Sequence, residues 1–229
     1  YSAAAQSEDA AITNLFYWNN IIHDVMYQYG FDEASGNFQE NNFANGGVGS
    51  DGVDAQAQDS ADLAPTSLNR CNANFGTPTD GGNPRMQMYI CDGAATSDHN
   101  DGDFDSNVIV HEYAHGISNR LVGGPGVGGA LSNMEQMGEG WSDFYGYMLT
   151  MNSTNATSDR AIGNFLFDLG PAGGGIRPAP YSTNLTTNPW TYAGVANTGS
   201  ISRPHGIGFI WSSMLYEMTQ ALIARDGFD

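Results

Sequence analysis

The stretch "VIVHEYAHGISNRL", residues 108–121, decides how the rest of the chain is read. It holds two of the five histidines, His111 and His115, with Glu112 beside the first. A helix turns about 100° per residue, so positions i and i+4 lie one above the other on one face. Two imidazoles spaced by one helical pitch can hold one zinc ion. Glu112 is rotated off that face. It is badly placed as a third ligand and well placed to act on a water beside the ion. The bland alternative is a structural helix with a chance match, and the flanking sequence has to decide.

A catalytic zinc takes three protein ligands and keeps one position open. The metzincin pattern would place Gly at position 118 and His at 121; the sequence has Ser118 and Leu121, which excludes it. Two carboxylates follow, Glu135 and Glu139, on a helix expected from Asn133 to about Met151. They are also four apart, so spacing alone leaves both open. The flanks favour Glu139. It sits in "GEGWSDF", residues 138–144, and Asp143 follows four residues later. An Asp there can accept the free ring N–H of a metal-bound histidine, fixing its tautomer. Small Gly138 and Gly140 would let this helix approach the first. The expected metal set is therefore His111, His115 and Glu139, with Asp143 behind it.

Composition is consistent with this reading. The chain has 229 residues, 40% hydrophobic and 14% charged, enough for a folded domain with a real core. Its formal net charge is -18, and all seven basic residues are arginines. So acidic a chain would be repelled by nucleic acid and by anionic membranes. No apolar run reaches transmembrane length and no signal-peptide pattern opens the chain. It begins at Tyr1, which suggests a processed form or an excised piece. Cys71 and Cys91 bracket an expected hairpin, and a disulfide between them is expected. Asn152, Asn155 and Asn184 head glycosylation sequons. Together these features point to a secreted, extracellular protein.

Along the chain, Ser7-Glu8-Asp9 looks like a helix start. Ala11, Leu15, Trp18, Ile22, Val25 and Tyr29 recur at helical spacing, and Gly30 ends the run. His23 on this helix reads as structural. Residues 30–84 read as loops with short strands, "RMQMYIC" (85–91) as one strand, and "SDHNDGDFD" (97–105) as an acidic loop. Asp105 or Ser106 can cap a helix beginning near Asn107. Residues 152–204 are loop-rich again, and a last helix begins near His205. Strands first and helices later suggest an α+β fold. Asp98, Asp101, Asp103 and Asp105 make calcium a candidate second ion, although they match no EF-hand spacing.

Several blocks, in order, resemble the fungalysin metallopeptidases, secreted relatives of the thermolysin-like group. "DAAITNLFYWNNIIHDVMYQYGFDEASGNFQENNF" (9–43) is similar to the family's first helical segment. "CNANFGTPTDGGNPRMQMYI" (71–90) is similar to its edge-strand region, and "DGDFDSNVIVHEYAHG" (101–116) to its active-site helix. "HEYAHGISNRLVGG" with "MGEGWSDF", then "PYSTNLTTNPWTY" (180–192) and "HGIGFIWSSMLYEM" (205–218), complete the set. The resemblance implies a thermolysin-like zincin, in which a lobe of residues 1–119 meets a mainly helical lobe of residues 120–229. It implies an endopeptidase with one catalytic zinc, protein or peptide substrates, an inhibitory propeptide and a monomeric state. By resemblance, Glu112 is the general base and His205 the oxyanion donor. Arg177 holds a substrate carbonyl, and Asn72 and Ala73 lie on the strand that pairs with the peptide. The family unit extends beyond both ends of this chain, so the helical lobe looks truncated.

Two positions depart from the thermolysin-like pattern. No tyrosine occurs from 116 to 138, where that group carries a second oxyanion donor. Ser200 stands where it has an aspartate five residues before the catalytic histidine. Two other functions fit part of the sequence. A zinc aminopeptidase would share the helix and third ligand but needs acidic groups for a free amine, and "SNMEQ" (132–136) is only a distant echo of its motif. An inactive, zinc-stabilised binding domain would hold the metal and cut nothing.

Overall fold

The computed structural model describes residues 4–92, 99–196 and 199–228. Helix α1 spans Ala4–Gln28. Ala11, Leu15, Ile22 and Met26 are buried along one face, with Trp18 and Val25 packed against the same core. The helix starts before Ser7, which was expected to open it. Ser7 lies within it, buried, and its hydroxyl accepts a 3.0 Å bond from Gln58 Nε2. Tyr29 is 81% exposed, because the chain leaves the helix there and Gly30 turns at φ +95°. Met26 fills the core position instead.

Strands β1 (Asp54–Gln56), β2 (Ala73–Gly76) and β3 (Arg85–Met88) form one sheet in the order β1-β3-β2. β1 runs parallel to β3 and β2 antiparallel, with Ala73 opposite Met88 and Phe75 opposite Met86. The single strand expected over 85–91 is two strands. β4 (Ile90–Asp92) pairs with β5 (His99–Asp101) in a separate ribbon. The Cys71–Cys91 disulfide joins the approach to β2 to β4.

The acidic stretch is likewise not a loop. Asp98 lies outside the described residues. After β5 comes one 3-10 turn, Gly102–Phe104, and then α2, Ser106–Gly123. Asp101 accepts from Gln58 Nε2 at 2.6 Å and from the Asp103 amide at 3.0 Å. Asp103 accepts from the Gln58 amide at 2.8 Å. Asp105 caps α2 through the Val108 amide and also accepts from the Leu166 amide at 3.1 Å.

Helix α3 spans Gly138–Leu149, beginning five residues later than its pattern suggested, and α4 spans His205–Asp226. Gly140 and Gly208 form the α3–α4 crossing. A Cβ on Gly140 would lie 2.3 Å from Gly208 O, and one on Gly208 would lie 2.6 Å from Glu139 Cβ. Gly140 therefore serves α4, not α2. Gly146, 3.1 Å from Asn107 O by the same construction, is the close approach to α2, and Gly138 meets its own loop at Gln136. One buried cluster gathers α1, the three-stranded sheet and α2 around Leu15, Phe38, Met86 and Tyr113. A second gathers α3 and α4 around Tyr147, Tyr181, Phe209 and Tyr216.

Candidate metal centre and cleft

The helical spacing places His111 and His115 as anticipated. Their rings stand 4.7 Å apart between centroids, and their Nε2 atoms are 3.0 Å apart. Glu139, in the first turn of α3, turns back towards both. Its Oε2 lies 3.3 Å from His111 Nε2 and its Oε1 3.8 Å from His115 Nε2. All three candidate ligand atoms fall within 4.8 Å of one another, and no other such group of three occurs among the described residues. Glu139 Oε2 is buried and accepts no hydrogen bond. A carboxylate whose two oxygens face two imidazole nitrogens, one of them buried without a hydrogen bond, suits a divalent cation of zinc's preferences. Glu135 is not part of this group: it precedes α3, is 62% exposed at its side chain, and accepts from Arg203 Nε at 2.7 Å.

Asp143 lies one turn beyond Glu139 and is wholly buried. His111 Nδ1 stands 2.7 Å from its Oδ1. Arg177 donates to it twice, from Nε at 2.6 Å and Nη2 at 2.8 Å, and the Tyr181 hydroxyl donates to Oδ2. Arg177 Nη2 is also 3.5 Å from Glu139 Oε2. The arginine expected to meet substrate thus rests on Asp143 while still lining the cleft.

The cleft beside the cluster has a volume of about 330 Å³. Glu112, His115 and His205 line it, together with Asn72, Ala73 and Phe75 of the edge strand and its approach. β2 pairs only with β3, so its other edge is open on this side. His205 opens α4, and its Nε2 lies 3.4 Å from Glu139 Oε1 with the side chain 56% exposed. The Gly140–Gly208 contact is what brings these two residues together.

The sequence profile of the fungalysin metallopeptidases matches residues 1–229. The chain belongs to that family. Relatives of this fungalysin include extracellular metalloproteinase 2 of Trichophyton tonsurans, 44% identical over 225 residues. Extracellular metalloproteinase MEP of Pyricularia oryzae is 44% identical over 222 residues, and that of Fusarium vanettenii 43% over 222 residues. These alignments cover 97%, 96% and 96% of the fungalysin chain but only 33%, 33% and 32% of the relatives. The chain spans about a third of their length. No described helix is long and apolar enough to cross a membrane.

Electrostatics in this fungalysin follow from burial and from the charges within the cluster. Burial works against charge on His111, but the bonds to Asp143 and Glu139 prevail and push its pKa up to about 10. Burial lowers His115 to about 4, helped by the charge on His111. Glu139 is held at about 2, because its histidine neighbours outweigh burial. Asp143 lies far below the usual carboxylate range: Arg177 and His111 overcome its burial. Glu112 is different. Burial drives it up to about 7, only partly opposed by the charge on His111. The Glu139 carboxylate is thus kept ionised, whereas burial holds the pKa of Glu112 near neutrality.

Two groups of site residues escaped the sequence reading. Val108, Ile162, Leu166, Phe167 and Ile176 form an apolar wall of the cleft. They come from α2 and from a loop that gave no periodic signal. Tyr181 lies in "RPAPYS", an irregular segment whose spacing says nothing about where its hydroxyl points.

Proposed function

We propose that this chain is the zinc-bearing part of a secreted endopeptidase, with His111, His115 and Glu139 as ligands. The observation that carries the reading is the convergence of those three side chains beside Glu112 in a cleft bordered by an open strand edge. Zinc, when bound, acts there as a Lewis acid that acidifies water and polarises the scissile carbonyl. Glu112, poised near neutrality, accepts the proton of the attacking water and returns it to the leaving amine. Asp143 keeps His111 in one tautomer, with Nε2 turned to the cluster. His205, with its side chain 56% exposed at the cleft, donates to the developing oxyanion. The free edge of β2, at Ala73, and the amide of Asn72 bind an extended peptide through its backbone. Arg177, seated on Asp143 at the edge of the cleft, holds a substrate carbonyl. The apolar wall selects a large hydrophobic side chain.

Secretion rests on the names of the relatives, the disulfide and the exposed sequons at Asn152 and Asn184. The two buried clusters support a division into lobes near residue 119, with the proposed metal ligands at their junction and Leu166 of the later part reaching into the first cluster. Asp101, Asp103 and Asp105 are taken up by Gln58 and by their own turn and helix cap, so we give them a structural duty in place of calcium.

The test uses an internally quenched peptide blocked at both termini. One zinc per chain and cleavage abolished by a chelator are expected. Glu112→Gln should keep the zinc and lose cleavage by about 10²- to 10⁴-fold. A variant that cleaves at the parental rate removes Glu112 from the mechanism. Cleavage only of peptides with a free amino terminus would favour an aminopeptidase. One zinc with no cleavage would favour a binding domain.

A further inference from the structure

Tyr181 is a buried donor beside the candidate metal centre to which the reading above gives no task. Its ring is fully buried among Tyr147, Phe209 and Tyr216, with centroids at 5.2, 5.3 and 6.4 Å. Its backbone is fixed by a two-way bridge to Arg160, at 2.9 and 2.7 Å. The hydroxyl therefore enters the cluster from a rigid, aromatic side. There it donates to Asp143 Oδ2, the oxygen that also accepts Arg177 Nε. Asp143 Oδ1 meanwhile faces His111 Nδ1 and Arg177 Nη2.

Of these donors, Arg177 has competing attachments. It lies 3.5 Å from Glu139 and lines the cleft, so a peptide in the cleft competes for it. Tyr181 has no such freedom. A carboxylate held by Arg177 alone would turn with the arginine and carry the His111 ring with it. We propose that Tyr181 is a positioning residue for the metal centre: its hydroxyl locks the Asp143 carboxylate, and through it His111, independently of Arg177. This rests on the assignment of His111 as a zinc ligand, and it extends that site by one shell into the aromatic core.

Tyr181→Phe keeps the ring and deletes the donor. Zinc affinity, read by competition with a chromophoric chelator, should fall about tenfold, the lower end for groups supporting a metal ligand. The comparison variant is Tyr147→Phe, which removes another buried hydroxyl of the same aromatic cluster, bonded to Ser212 O. It should cost similar thermal stability and leave zinc affinity unchanged. Asp143→Asn supplies a second check. If Tyr181 acts through Asp143, adding Tyr181→Phe to that variant should produce no further loss of zinc. Equal zinc loss in Tyr147→Phe, or an undiminished effect of Tyr181→Phe beside Asp143→Asn, would overturn the proposal.

Should Tyr181→Phe not fold, the parent protein provides the reading. Its Tyr181 hydroxyl proton should exchange slowly enough to be observed by NMR at neutral pH, and a rapidly exchanging proton would overturn the lock. If His111 is not a ligand at all, none of the variants, including Asp143→Asn, changes zinc binding. That outcome is distinct from failure of the Tyr181 step alone, in which Asp143→Asn still weakens zinc.

Discussion

Replacing Gly208 by alanine separates metal geometry from stability. The new Cβ would lie 2.5 Å from Gly140 N and 2.6 Å from Glu139 Cβ. Ordinary carbon contacts are about 3.5–4.0 Å, so α3 and α4 must part by roughly 1 Å. Overpacking of this kind costs about 1–3 kcal/mol, and alanine recovers about 1 kcal/mol of helix propensity over glycine. The net loss should be about 0–2 kcal/mol, readable by urea unfolding of the metal-free protein. The effect on zinc should be disproportionate. The displaced residue is Glu139 itself, and metal–ligand distances tolerate only about 0.2 Å. A loss of zinc affinity of more than about tenfold is expected, comparable to the loss of a supporting group. Gly126→Ala, at a position with nothing within 4 Å of the added atom, is the control and should change neither quantity. Zinc affinity within twofold of the parent in Gly208→Ala would refute the claim that this crossing sets the position of Glu139.

Other outcomes follow from single features. Asp103 is buried, and burial with the neighbouring Asp101 pushes its pKa up to about 9. The unfolded carboxyl titrates near 3.9, so folding retains a proton between about pH 4 and 9, and stability should fall as pH rises through that window, by at most about 1.4 kcal/mol per unit. Asp103→Asn should flatten that slope and stabilise the protein at pH 8–9; an unchanged slope in thermal melts would contradict it. Removing the Cys71–Cys91 link, by Ser at both positions, should cost about 3 kcal/mol for a loop of this length. It should also raise KM more than it lowers kcat, because the freed segment leads into β2; a pure kcat effect in steady-state assays would argue against the strand's role. Gly116→Ala would meet the Phe75 and Phe38 rings at 2.5 and 2.6 Å and should destabilise by about 1–3 kcal/mol, as measured by urea unfolding; a neutral result would mean those rings move freely.

The metal cluster was legible because its chemistry is local. His111 and His115 share one helical face, and Glu139–Asp143 repeats that spacing on the next helix. The fold gathers Glu139, and not Glu135, beside the two histidines, but the start of α3 was not legible. Its cap position, Met137, makes no side-chain bond, so the sequence offers no start signal there, and the helix expected from Asn133 begins only at Gly138. Likewise Ser7 resembles a cap and is instead a buried partner of Gln58, a contact 51 residues away in sequence. The stretch 85–91 alternates as far as Met88 and is apolar from there to Cys91, and its partners divide it at Tyr89. Edge openness, the apolar wall and the Tyr181 contact depend on such distant partners, which composition and period do not encode.

The position next to His115 has a consequence for how this cleft could diversify. Gly116 leaves room for the Phe75 ring, so the back of the metal helix rests on the strand that borders the cleft. The two cannot be adjusted separately. Any change that re-aims the strand to admit a different peptide presses on the helix one residue from a ligand. Selectivity is therefore more freely altered from the opposite bank, where Ile162, Phe167 and Ile176 come from irregular chain with no seat against α2's glycine. Variation there could reshape the cleft while leaving the candidate metal centre untouched.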